Sequence, residues 1–131
     1  MAIAQAAPVK NVESAMKLQD TYVAAENISA LRAVRLINAN ECELGDPDTI
    51  YEDAKVVGIS LTAATTGNNV EVLTFGILED PFFTFPLNEP IFLAPNGVVT
   101  DVPPTTGFST QIGHSLGTGQ IFINIREPLE L

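Results

Sequence analysis

Two apolar runs separated by a polar turn mark the stretch from Lys55 to Leu78, KVVGISLTAATTGNNVEVLTFGIL. Val56, Val57, Ile59 and Leu61 precede the turn, and Val70, Val72, Leu73, Phe75, Ile77 and Leu78 follow it. Between them, Thr65, Thr66, Gly67, Asn68 and Asn69 combine residues that tolerate positive φ with side chains that bond local backbone. β-branched residues dominate both flanks, which suits a pleated, half-buried surface, so the stretch reads as a β-hairpin.

The same reading extends along the chain. Residues 28–37, ISALRAVRLI, predict a strand that closes on an Asn38-Ala39-Asn40 turn. Residues 41–54, ECELGDPDTIYEDA, read as an acidic loop punctuated by Gly45 and Pro47. Glu79-Asp80-Pro81 breaks the hairpin's second strand. An aromatic, proline-interrupted segment follows, with Phe82, Phe83 and Phe85 among Pro81, Pro86 and Pro90. Ile91–Leu93 and Val98–Thr100 read as strands joined by a Pro95-Asn96-Gly97 turn. Residues 101–109 read as a loop. Thr110–Leu116 predicts a strand with Gly113 at a bulge or close backbone approach. After a Gly117–Gly119 turn, Gln120–Arg126 alternates: Ile121, Ile123 and Ile125 face one way, and Phe122, Asn124 and Arg126 the other. Residues 1–20 read as an extended N-terminal arm, and 21–131 as one all-β domain, a small antiparallel β-barrel or β-sandwich.

Composition changes this picture in two ways. Apolar residues make up 46% of the 131-residue chain and charged residues only 17%, low against a typical ~25%, which points to apolar surface hidden by self-association. The net charge is −10, and Lys55 is the only base between Arg35 and Arg126. Such a chain repels nucleic-acid phosphate and anionic lipid, so neither is expected as a partner. There is no apolar run long enough for a membrane span and no secretory signal pattern, which leads to the expectation of synthesis and folding in a cytosol.

Candidate chemistry is sparse, and neither an enzyme activity nor a cofactor is expected. His114 is the only histidine, and its neighbour Ser115 belongs to the opposite face of a strand, so the pair is no catalytic dyad. Cys42, the only cysteine, has no partner set for zinc. Asp46, Asp48, Glu52 and Asp53 crowd one loop and invite a Ca²⁺ reading, but the spacing is not that of an EF-hand; a solvated acidic loop, or one that docks on a basic protein surface, is preferred. Gly113, Gly117 and Gly119 lack the strand-to-helix context of a phosphate cradle. Phe82, Phe83 and Phe85 are core or interface residues by type, with an aromatic ligand patch as the functional alternative. Lys10, Lys17, Arg32 and Arg35 could form intersubunit ion pairs, with plain solvation as the competing reading.

Four segments in order carry a resemblance: AENISALRAVRLI, DAKVVGISLTAATTGNNVEVLTFGIL, PIFLAPNGVVTDVPP and QIGHSLGTGQIFINIREPLEL. Over residues 22–131 the chain resembles the small β-barrel domains of tailed-bacteriophage virion proteins, which include trimeric capsid decoration proteins, head fibres and attachment domains of tail fibres. The resemblance implies a homotrimeric structural protein on the capsid surface, bound to the major capsid protein lattice and stabilising the head, with the arm strapped to a neighbour. An attachment or glycan-binding module of a head or tail fibre is the alternative. A trimeric all-β nucleotide hydrolase is disfavoured because bases are nearly absent after Lys55.

Overall fold

The computed structural model describes residues 17–131. Its strands are β1 (Leu18–Ala24), β2 (Ala33–Leu36), β3 (Glu41–Leu44), β4 (Gly58–Ser60), β5 (Asn69–Glu79), β6 (Pro90–Leu93), β7 (Val99–Thr100), β8 (Phe108–Ser109), β9 (Gln111–Ser115), β10 (Gln120–Asn124) and β11 (Leu129–Glu130). One helical turn, α1 (Tyr51–Ala54), precedes β4, and a 3₁₀ turn, Pro95–Gly97, joins β6 to β7. The all-β expectation holds.

The main sheet runs β1-β3-β2-β4-β5-β10-β9-β6-β7, and β1 also pairs with β5. The first five strands therefore close on themselves, and the remainder opens as an extension. Closure covers only part of the sheet, so the fold is a small ring with a sheet attached rather than a simple barrel. Nor is it wholly antiparallel: β1 pairs parallel with β3 through Val23↔Glu41 and Ala24↔Cys42.

The predicted hairpin is present, with Ile59 opposite Leu73 and Ser60 opposite Val72. The run 28–37 is not one strand. Leu31 has φ 66, and its N–H donates to the Ser60 carbonyl at 2.7 Å, so the chain turns before β2 begins. The expected loop 41–54 starts with a strand instead. Cys42 is fully buried while Glu41 and Glu43 point outwards, an alternation that the acidic residues mask. The Asn38 side chain accepts from the N–H groups of Asn40 and Glu41, both at 2.9 Å, and so sets the β2–β3 turn. The expected loop 101–109 ends in β8, which pairs with β11 beyond Pro128. Of the arm expected over 1–20, residues 18–20 open β1, and residues 1–16 lie outside the described residues.

Two apolar clusters follow from this topology. Ala24, Ile28, Val34, Cys42, Val70 and Val72 pack together. Ile59, Leu73, Leu78, Phe83, Ile91, Leu93, Ile112, Ile121 and Ile123 belong to the larger cluster. Buried hydroxyls are satisfied: Thr110 donates to the Ala54 carbonyl at 2.8 Å, and Ser60 donates to the Ser29 carbonyl at 2.8 Å while accepting from the Arg32 N–H.

Gly113 lies opposite Ile123 where β9 pairs with β10. A Cβ built there would lie 1.8 Å from the Phe122 carbonyl oxygen. Gly67, at φ 88 in the hairpin turn, has open space around it. Gly113→Ala is therefore expected to force the strands apart and cost about 3 kcal/mol. Gly67→Ala should cost about 1 kcal/mol through backbone strain alone. Urea denaturation midpoints of the two variants test this, and equal losses would contradict the close-approach account.

Candidate interaction surface

Each expected site residue has a definite position. Phe83 is 1% exposed and belongs to the core, whereas Phe82 is 69% exposed. Phe85 is half-buried and stacks on Phe83 at 6.3 Å between ring centroids. The three rings therefore do not form one platform: Phe83 anchors the segment, and Phe82, edge-on to Phe83 at 5.7 Å, is the ring left open to a partner.

The acidic quartet is likewise divided. The Asp46 carboxylate accepts from the Asp48 N–H at 2.9 Å, which folds the loop on itself. Asp53 accepts from the Thr49 hydroxyl and pairs with Arg35 at 3.1 Å. Arg35 also contacts Glu43 at 2.6 Å, with its own side chain only 18% exposed. Arg35 thus serves an internal triad rather than an intersubunit pair, and Arg32 donates to the Asn96 carbonyl at 3.0 Å. Lys10 lies outside the described residues, and Lys17 is exposed. Asp48 and Glu52 face solvent. Among the described residues no three His, Cys, Asp or Glu side chains gather in a metal-binding group.

The polar groups that could do chemistry are engaged or isolated. Ser115 is buried and donates to the Phe85 and Gly117 carbonyls at 3.2 and 3.3 Å. His114, on the opposite face, stands edge-on to Phe122 at 5.5 Å. Cys42 is buried, and burial followed by the charge of Glu26 holds its thiol up at about 11. A hydrogen bond to Glu127 and partial desolvation raise the Tyr51 phenol, and the same bond, with Lys55 at 3.5 Å, lowers the Glu127 carboxyl. This cluster ties α1 to the C-terminal segment.

The structure also assembles a surface that sequence reasoning did not single out. Ile77 lies opposite Phe122, Phe122 opposite His114, and His114 opposite Pro90 across β5, β10, β9 and β6. Phe75 adds an edge-on contact to Phe122 at 5.3 Å. The alternating neighbours Leu78, Ile121, Ser115 and Ile91 are buried beneath. On this side Ile77 is 39% exposed and Pro90 is exposed, whereas Phe75, His114 and Phe122 are half-buried. The available signal was Phe122, an aromatic residue on the side of its strand away from Ile121 and Ile123.

Two titrations check this picture. At pH 8 the folded protein should leave Cys42 unreacted with a thiol reagent that labels it fully in denaturant; rapid labelling of folded protein would place the thiol at the surface. In the second, Glu127 should ionise below the usual glutamate range, and Tyr51→Phe should return it towards that range. Because the Glu127 value is lowered, the contact is present above the ordinary carboxylate range and is lost as pH falls through the depressed value. Because Tyr51 is raised, the contact is lost again as pH rises through the elevated phenol value. Carboxyl chemical shifts followed by NMR measure the acid side.

No protein-family model and no curated protein matches this sequence. Among solved structures, the fold is similar to that in the crystal structure of the head fibre gp8.5 N base of bacteriophage phi29. The TM-score is 0.52 at 13% identity, and the match covers 88% of this chain and 100% of that chain.

Proposed function

We propose that this chain is a structural protein of a tailed-phage head that self-associates as a homotrimer and seats on the major capsid protein lattice at the virion surface. The observation that carries the reading is the fold likeness to a phage head-fibre base, which spans the whole of that chain. The geometry agrees in kind. Ser115 is committed to backbone carbonyls, His114 faces an aromatic ring, and Cys42 is buried, so the groups with chemical potential serve packing. In the cement form of this reading, the protein stabilises the head by binding the assembled lattice in preference to free capsid subunits.

The neighbour is the base of a fibre, which favours a second form: a domain that roots a head fibre or displays an attachment module. Exposed Phe82 is the place where such a module would meet a ligand or a continuing fibre.

Light scattering across a concentration series is expected to give a threefold native mass, and the protein should co-sediment saturably with expanded, DNA-free heads. A monomer at every concentration that fails to pellet with heads would sink the proposal. Hydrolysis of nucleoside triphosphates with Mg²⁺ would replace it with an enzymatic one.

A further inference from the structure

The row Ile77, Phe122, His114 and Pro90, with Phe75 beside it, occupies the open side of the extended sheet. An aromatic and aliphatic sheet face of this kind, partly open to solvent with a buried core beneath, is a candidate interaction surface. Its two ends differ in charge. At one end Gln120 lies opposite Glu79 and donates to its carboxylate at 2.9 Å, with Glu79 exposed. At the other end, past Asn124, stands Arg126, whose N–H donates to the Gln111 carbonyl at 3.0 Å and which borders a groove with Phe92 and Gln111. Ile125 packs against the core cluster, and Arg126 is exposed with no ion-pair partner among the described residues.

We infer that this face is where one copy of the chain packs against the next, with the Glu79 end of one face meeting the Arg126 end of its neighbour. The inference rests on the homotrimeric reading and names its surface. When the Glu79 end of each face meets only the Arg126 end of the next, the contact is heterologous, the type that generates a ring where its rotation closes. At −10, two copies repel wherever acidic surface meets acidic surface, and this apolar row carries no carboxylate. A basic lattice patch would instead find its complement on exposed Asp48 and Glu52. The arrangement also has the anatomy of a protein interface, with aromatic residues at the centre and polar groups at the rim.

Ile77→Lys, Glu79→Arg, Arg126→Glu and the double charge reversal test the assignment. All three positions are exposed, so circular dichroism should match the parent chain. Native mass by light scattering is the readout. Ile77→Lys is expected to raise the concentration for half-association about tenfold or more. Each single charge reversal should weaken association, and the double reversal should restore it. If the parent chain is trimeric and Ile77→Lys leaves it so, this face is not the contact while the homotrimer stands. A parent dimer that Ile77→Lys dissociates keeps the face and removes the threefold reading. A parent that is monomeric throughout overturns both. If deleting residues 1–16 sharply raises binding of an apolar dye to a chain whose mass Ile77→Lys does not alter, the chain's own terminus covers the face and the inference fails.

Discussion

The ladder along β5 is the constraint on which the rest of the structure depends. This strand is paired over its length by three others: β1 along Asn69–Phe75, β4 at Val72 and Leu73, and β10 along Phe75–Glu79. Its first half closes the ring and its second half begins the open extension. Midway along it both faces are buried, since Val72 belongs to one cluster and Leu73 to the other. That double burial explains why Val72 and Leu73 break the alternation of apolar and polar residues that begins at Asn69. Beyond Phe75 one face remains uncovered, and the same strand presents Leu78 inwards and Ile77 outwards. The ring, the two cores and the exposed sheet face are consequences of one strand having more partners than a hairpin supplies.

What the sequence made legible follows from how local the governing interaction is. The hairpin at 58–79 and the alternation of Ile121 and Ile123 were readable because period and turn chemistry act over a few residues. Gly113 was readable as a close approach because a glycine inside an alternating strand has few other uses, and the Phe122 carbonyl fills the space a side chain would need. β3 was missed because its outward residues are glutamates, and one of them, Glu43, is placed by Arg35 from the adjacent strand. That pairing is a tertiary fact without a local signature. The same holds for Phe82 and Phe83, adjacent residues of one type whose exposures differ between surface and core. Nor does local sequence show that β11 returns to β8, because the register is fixed across the domain.

The distribution of charge links the fold to association. Arg35 is held by Glu43 and Asp53, Arg32 reaches a backbone carbonyl, and Lys55 pairs with Glu127. Three of the five bases among the described residues are thus engaged within the chain, and much of the acidic excess is left on its surface. Two such surfaces approach each other against a long-range repulsion that salt screens over about 10 Å. Attraction at contact must come from a region where apolar area is high and carboxylates are absent. The row from Ile77 to Pro90 carries no carboxylate, and in the proposed contact Glu79 and Arg126, which flank it along the strand direction, would orient the apolar packing. An acidic body with one apolar, end-polarised face has few ways to meet its own kind, and in the proposed ring each acidic end would meet a basic one.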